Sequence, residues 1–261
     1  MNVNEKLLTL LATSAQAARA PHVWTVIQPN WGEPLSGENR QLVHTICPPQ
    51  PFKRGEYVFR RGDPAQHVRI ILQGLVKLSV CDGNGEDQTL LLCGPGDIIG
   101  ENYLIDATCC EADALCLSDT LMCLITHEKF LEMVACVPEA ILRFAAVLAK
   151  HNADLQQRLR ETAHCATTRV AWTFVDLARR FGTPGHSGLY RLRLGVSQAD
   201  IAGLANTTRV TTTEVISQLR EQNLLHGTRG RYLVDVTGLE QLLHGAPLET
   251  NETRPVTSLP T

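Results

Sequence analysis

"SQADIAGLANTTRVTTTEVISQLREQNLL", residues 197–225, decides how the rest of the chain is read. Threonine is a mediocre helix former, yet Thr207, Thr208, Thr211, Thr212 and Thr213 crowd around a single Arg209 in an otherwise helical pattern. Two short helices fit it, over about 198–205 and 207–222, the second capped by Asn206 or Thr207, residue types that serve well at a helix start. Successive residues rotate by about 100°, so Thr212, Val215, Ile216 and Leu219 face inward and Arg209, Val210, Thr213, Glu214 and Ser217 face outward. That outer face is small and mostly polar. It suits a DNA major groove, where short hydroxyls reach phosphates and base edges. An arginine at the helix start can bind guanine through two parallel hydrogen bonds; Val210 suits a thymine methyl and Glu214 a cytosine amine. Gln198, Thr207 and Thr208 complete the expected DNA-facing set. An ordinary surface helix is the competing reading.

The flanks weigh against that competitor. Upstream lie an amphipathic helix near residues 169–181, a Gly/Pro loop "GTPGHSG" and a strand "LYRLRLG"; downstream, "HGTRGRYLVDV" reads as a hairpin. Helix, helix and two-stranded wing make a winged helix-turn-helix. Residues 166–243 hold nine arginines, no lysine and six acids, a balance of +3 that leaves −6 for the remainder of a chain whose net charge is −3. A basic module on an acidic one is a build common among DNA-binding regulators.

Between residues 138 and 162 the period is helical. Ile141, Leu148, Leu155 and Thr162 recur every seven residues, as do Ala145, Asn152 and Leu159. Such a seam pairs two helices, and a polar residue on it fixes their register. The expected dimer seam is Ile141, Leu148, Asn152, Leu155 and Leu159; the alternative is a helix lying on its own domain. From about residue 51 to 130 the pattern is strand-like, with "VRIILQGLVKLSV" and "QTLLLCGPGDIIG" broken by Gly, Asp and Pro. "VCDGNGEDQ" carries the strongest short-range hairpin signal. Short strands with tight turns imply an antiparallel sandwich or barrel.

This order of elements resembles the cyclic-AMP-receptor/fumarate-nitrate-regulator (Crp/Fnr) family of transcription regulators, over roughly residues 40–240. The resemblance is carried by "KRGEYVFRRGDPAQHVRIILQGLVKL", "GPGDIIGENYL", "DTLMCLITHEKF", "ATTRVAWTFVDLA" and the opening stretch. The helix "TTRVTTTEVISQLRE" is most similar to that of the cyanobacterial nitrogen-control regulators; Val210 and Glu214 depart from the commoner family pattern. The implied fold is α+β: an N-terminal antiparallel β-roll (a cupin-like jelly roll), a long dimerisation helix and a C-terminal winged helix-turn-helix. The expected division is an extension over 1–40, the β-roll over 41–135, the dimerisation helix over 136–163, the DNA-binding domain over 164–243 and a polar, disordered tail over 244–261.

The resemblance also implies an effector site in the roll. Relatives that bind cyclic AMP hold its phosphate with an Arg-Ser pair after "G-E". Here "GENYLIDATCCEADALCL" keeps Gly100 and Glu101, while Cys110 and Glu111 fall on the pair, with Cys109 beside them. An acid at an anion site repels, so a signal other than cyclic AMP is expected. Cys109, Cys110, Cys116 and Cys123 lie within fifteen residues and are the candidate metal ligands, since thiolate clusters bind iron–sulfur or zinc. Cys123 resembles the internal cluster ligand of the oxygen-sensing branch, but residues 1–46 contain no cysteine and the chain has no C-x-x-C. Free cysteine also packs as a small hydrophobe, and alternation in "ADALCLSDTLMCLI" suits Cys116 and Cys123 to the sandwich core. The cofactor stays open: an iron–sulfur cluster or other metal, and none at all, are equal readings.

No run of about 18 apolar residues exists to span a membrane, and the start lacks the cationic lead of a secretory signal, so a cytoplasmic location is expected. No nucleophile–base pair or phosphate loop marks an enzyme. The expected partners are palindromic double-stranded DNA, a second copy of the chain and RNA polymerase. The alternative from another class is a β-roll module whose winged helix serves protein contacts.

Overall fold

The computed structural model describes residues 37–244 except 82–86, 106–107, 187 and 229, and excludes the side chains of 37–40, 138–142, 158 and 161. The expected extension before residue 37, the tail after 244 and the tip of the "DGNGE" turn lie outside the described residues. Helix α1 (Gly37–Ile46) leads into a β-roll of eight strands: β1 (Pro49–Phe52), β2 (Tyr57–Phe59), β3 (Val68–Gln73), β4 (Val76–Cys81), β5 (Asp87–Cys93), β6 (Ile98–Ile99), β7 (Asp113–Cys116) and β8 (Thr120–Ile125). They form two antiparallel sheets, in the orders β1-β8-β3-β6 and β2-β7-β4-β5. A 3-10 turn, Glu101–Ile105, follows β6.

The two-residue period of a strand sorts the core into two layers. Ile71 and Met122 face the interior between the sheets, with Phe59, Val76, Cys93, Ile99, Cys110, Ala114 and Cys116. Val68, Ile70, Cys123 and Ile125, one step out of phase, face helices and pack with Cys47, Met133, Val137, Phe144 and Val147. Cys116 thus sits in the sandwich core as expected, but Cys123 lies on the opposite face of its sheet.

The strand pattern ends earlier than its apolar content suggested. Thr126 accepts a hydrogen bond from the Lys129 amide (3.3 Å) and starts helix α2 (His127–Cys136), which takes Phe130 out of the sheet. Helix α3 (Pro138–Glu161) follows; its 24 residues span about 36 Å. Phe144 and Val147 turn onto the roll, and Phe144 meets Phe130 edge-on at 5.1 Å.

The C-terminal region comprises α4 (Ala166–Phe181), β9 (Thr183–Pro184), β10 (Leu189–Arg193), α5 (Gln198–Leu204), α6 (Arg209–Glu221), β11 (Leu225–Thr228), β12 (Arg231–Asp235) and α7 (Val236–Leu243). The hairpin β11–β12 is not a free two-stranded wing: β12 also pairs with β10, giving a four-stranded order β11-β12-β10-β9. Helix α7 escaped the sequence reading; Asp235 caps it, accepting from the Gly238 amide at 3.0 Å. The core of this region, built on Phe174, Leu177, Ile201, Ile216, Leu219 and Tyr232, also takes in Leu75 and Leu92 of the β-roll. The two regions are therefore packed against each other.

Candidate nucleic-acid interface

Helix α5 starts with a reciprocal cap. The Ser197 hydroxyl accepts from the Asp200 amide at 3.1 Å, and Asp200 Oδ2 accepts from the Ser197 amide at 2.7 Å. "SQAD" is a short form of the serine-x-x-acid pattern that satisfies two orphan helix-start donors. The turn to α6 needs a left-handed residue, and Asn206 supplies it at φ 49°, a conformation asparagine tolerates better than most. Arg169 on α4 braces that turn: Nε donates to the Ala205 carbonyl (2.9 Å), Nη2 to Asn206 (3.1 Å) and Nη1 to His164 (2.6 Å).

Helix α6 begins one residue later than the spacing implied. Thr208, not Asn206 or Thr207, is the cap, accepting from the Thr211 amide at 3.1 Å. Its hydroxyl also shares a proton with the Thr211 hydroxyl at 2.9 Å, so it is engaged in starting the helix. Thr212, Val215, Ile216 and Leu219 are buried, as the helical rotation required. Arg209, Val210, Thr213, Glu214 and Ser217 are exposed together, Val210 to 68%. Two of these hydroxyls fold back on the helix: Ser217 donates to the Thr213 carbonyl (3.1 Å), and Thr213 lies 2.9 Å from the Arg209 carbonyl and 3.1 Å from Gln198 Oε1. A hydroxyl has one proton and serves one of these acceptors at a time. Gln198 is thereby brought to the same face, at the foot of α5. Among the described residues, the Arg209 guanidinium and the Glu214 carboxylate have no hydrogen-bond or ion-pair partner, and the Val210 methyls stand beside them on the exposed face.

The contact between the regions was not legible in the sequence. Asp200 reaches from α5 into the roll, where Oδ1 accepts from Thr89 Oγ1 (2.8 Å) and Lys77 Nζ (3.2 Å). Burial works against its charge, but the Ser197 amide and hydroxyl, Thr89 and Lys77 outweigh that and hold the carboxyl below its usual range. A second junction centres on Asp97. Its Oδ2 accepts from Arg180 Nη2 of α4 (2.9 Å) and from the Gly94 amide (2.8 Å), while His151 Nε2 of α3 stands 3.8 Å from Oδ1. Arg180 also donates to the Leu92 carbonyl at 2.9 Å. Roll, long helix and helix-turn-helix thus meet at one carboxylate.

The expected effector residues lie at one end of the roll. Gly100 closes β6 with φ +75°, Glu101 opens the 3-10 turn, Cys109 and Glu111 are exposed, and Cys110 is buried. Glu111 Oε2 accepts from Asn102 Nδ2 at 3.4 Å. The four-cysteine metal set is not assembled: Cys110 and Cys116 face the interior between the sheets, Cys123 faces the helices and Cys109 faces out. Among the described residues no group of three or more His, Cys, Asp or Glu is arranged to hold a metal ion. Cys123 instead neighbours Cys47, donating to the Cys47 carbonyl at 3.1 Å. One residue beside Gly100 was missed. Arg69 is buried within the roll; its signal was a lone charge inside the apolar run "VRIIL".

Of the seam residues, Leu155 and Leu159 are exposed to 61% and 70%, Asn152 is exposed and bonded to Gln156 (3.1 Å), and Leu148 is half-buried against its own roll. The Ile141 side chain lies outside the described residues.

A capped helix-turn-helix with an exposed polar face, fixed to a β-roll by a long helix, defines a DNA-binding regulator. Comparison with known proteins agrees. The cyclic nucleotide-binding domain family matches residues 49–135 and the Crp-like helix-turn-helix domain family residues 168–242. The chain is 30% identical over 193 residues to the cyclic AMP receptor protein of Thermus thermophilus, covering 73% of this chain and 85% of the relative. It is 28% identical over 206 residues to the global nitrogen regulator of a Synechocystis species, covering 77% and 91%. The fold is shared with the c-di-GMP responsive global regulator CLP of Xanthomonas campestris, at TM-score 0.65 and 20% identity over 76% of this chain and 99% of that one. The chain belongs to the Crp/Fnr family of transcription regulators. Among the described residues no helix is long and apolar enough to cross a membrane.

Proposed function

We propose that the protein works as a homodimer in which a signal other than cyclic AMP, received by the β-roll over 41–135, sets the position of the DNA-binding domain over 164–243. The observation that carries this reading is the docking of α5 onto β4 and β5 through Asp200, Lys77 and Thr89. A change in the roll reaches α5 directly, and α6 through α5. Uncovered Leu155 and Leu159 support pairing of α3 with a second copy along 136–163. Two copies then present α6 to operator half-sites about one helical turn apart. Cys110 and Glu111, standing where relatives hold a cyclic phosphate, support the exclusion of cyclic AMP. In this reading Gln198, Thr207, Thr208, Arg209, Val210, Thr213, Glu214 and Ser217 face DNA, and RNA polymerase is the partner beyond it.

Leu155→Glu tests the assembly without touching the roll's own core, which half-buried Leu148 does not allow. The variant is expected to sediment as a monomer at micromolar concentration and to lose operator affinity. A Leu155→Glu protein that stays dimeric in analytical ultracentrifugation removes this seam from the account.

A further inference from the structure

The linker between α3 and α4, residues 162–165, is exposed throughout, so burial does not fix its path. Hydrogen bonds divide it instead. On the α3 side, Thr162 Oγ1 donates to the Leu159 carbonyl (2.7 Å) and the Ala163 amide to the Arg160 carbonyl (3.3 Å). On the α4 side both holds come from Arg169. Its amide donates to the Cys165 carbonyl (3.2 Å), and its Nη1 to the His164 carbonyl (2.6 Å). Among the described residues no hydrogen bond spans the joint between Ala163 and His164. The linker therefore turns there, and everything from His164 onward travels with the DNA-binding domain.

The same guanidinium grips the helix-turn-helix. Nε and Nη2 donate to the carbonyls of Ala205 and Asn206, where α5 ends. Carbonyls at a helix C-terminus lack partners within the helix and favour a cation. One planar fork thus holds carbonyls of the linker and of the turn, and among the described residues no other hydrogen bond joins those two segments. No carboxylate competes for it among the described residues. The domain is gripped by the roll through Arg180, at the far end of α4, and through Asp200. Arg169 grips it in the first turn of α4, next to the end of α3.

We propose that Arg169 is a positioning residue for DNA recognition. By tying His164 to the turn at Ala205 and Asn206, it fixes the angle at which the DNA-binding domain hangs from α3, and so the separation of the two α6 helices in a dimer. The inference rests on the reading of the protein as a dimer on paired half-sites, and it adds what sets their spacing. A rigid fork holds such an angle; the point charge of a lysine on its flexible stem holds it less well. Reading helices fixed in advance accept one spacing, whereas loosened ones accept several and are ordered only on binding.

The test uses full-length wild type, Arg169→Lys and Arg169→Met, with a palindromic operator that the wild type selects from random DNA. Each protein, its active fraction set by stoichiometric titration, is titrated at one fixed salt concentration. The probes are that operator, the same operator with one base pair added between its half-sites, and a single half-site. The added base pair moves one half-site by about 3.4 Å and about 35°. Wild type is expected to lose about tenfold or more on the insertion, Arg169→Met about threefold or less, and Arg169→Lys an amount between them. Affinity for the single half-site is expected to be equal in all three. An insertion penalty in Arg169→Met as large as in wild type overturns the proposal. A half-site affinity lowered in Arg169→Met also overturns it, because Arg169 then merely shapes the turn before α6. If Arg169→Met does not fold, Arg169→Lys decides, and a full wild-type penalty in it overturns the proposal. A wild type indifferent to the insertion defeats the dimeric reading and this inference together, whereas equal penalties in a responsive wild type and its variants defeat the role of Arg169 alone.

Discussion

Gly203→Ala probes the contact between α5 and the β-roll. Gly203 lies within α5, where alanine is preferred to glycine by about 0.5–1 kcal/mol. Taken alone, the helix should gain. A Cβ at this position would stand 2.7 Å from the Thr89 amide nitrogen and 2.8 Å from its carbonyl oxygen, both backbone atoms of β5 that no rotamer change can move. Ordinary contact begins near 3.4 Å, so α5 must withdraw by about 0.7 Å. Asp200, three residues earlier on the same helix, withdraws with it. Its 2.8 Å bond to Thr89 and 3.2 Å bond to Lys77 then stretch to about 3.5 and 3.9 Å, past useful hydrogen-bond length. Hydrogen bonds to charged groups contribute about 1.5–3 kcal/mol each. Water re-solvates both partners once they separate, so a net loss of about 2 kcal/mol of docking is the reasonable figure, or about 30-fold in the docked population. Amide hydrogen exchange of peptides covering β5 should accelerate by about that factor, while far-UV circular dichroism stays unchanged. If β5 exchanges at the wild-type rate in Gly203→Ala, the inferred docking of α5 is wrong.

Three further expectations concern other parts of the same apparatus. Arg209→Ala should cost about 1–3 kcal/mol on the preferred operator and should do so unevenly across sequences; site selection at one fixed salt concentration reads this, and a uniform loss would make Arg209 a phosphate contact. The Thr212 hydroxyl is fully buried with no hydrogen-bond partner among the described residues; Thr212→Val should therefore stabilise by about 1 kcal/mol and raise melting by about 2–4 °C without changing operator affinity, and a lower melting point would show that the hydroxyl is bonded in solution. Asp97 and Asp200 are both held below the usual carboxylate range, Asp97 against its burial by His151, Arg180 and the Gly94 amide. A depressed native pKa stabilises above the unfolded value of about 3.9 and is lost as pH falls through the native one. Acid titration of stability below about pH 4 should be flatter in Asp200→Asn, and an unchanged slope would show that Asp200 carries no linkage.

What the sequence made legible followed from local and periodic rules. Rotation by 100° assigned Thr212, Val215, Ile216 and Leu219 inward and Arg209, Val210 and Glu214 outward. Alternation found the strands, and Asp-Gly with Asn-Gly joined β4 to β5. The errors fell where a cap or a neighbour overrode the pattern. Thr126 turned an apolar run into α2, Thr208 displaced the start of α6, and β10 joined a hairpin expected to stand alone. Cysteines close in sequence did not share one face: Cys110 and Cys116 point between the sheets, whereas Cys123, one step along its strand from inward-facing Met122, points to the helices.

The sequence by itself determined the order of elements, the face of α6 that meets solvent and the family. Tertiary structure alone decided that Asp200 of α5 rests on Thr89 and Lys77, residues 111 and 123 positions away, that Asp97 joins three elements, and that Arg69 Nε is buried with no hydrogen-bond partner among the described residues. The physical reason is that periodicity reports which face of an element is apolar, whereas a buried charge is defined by what stands opposite it. That partner comes from a distant part of the chain.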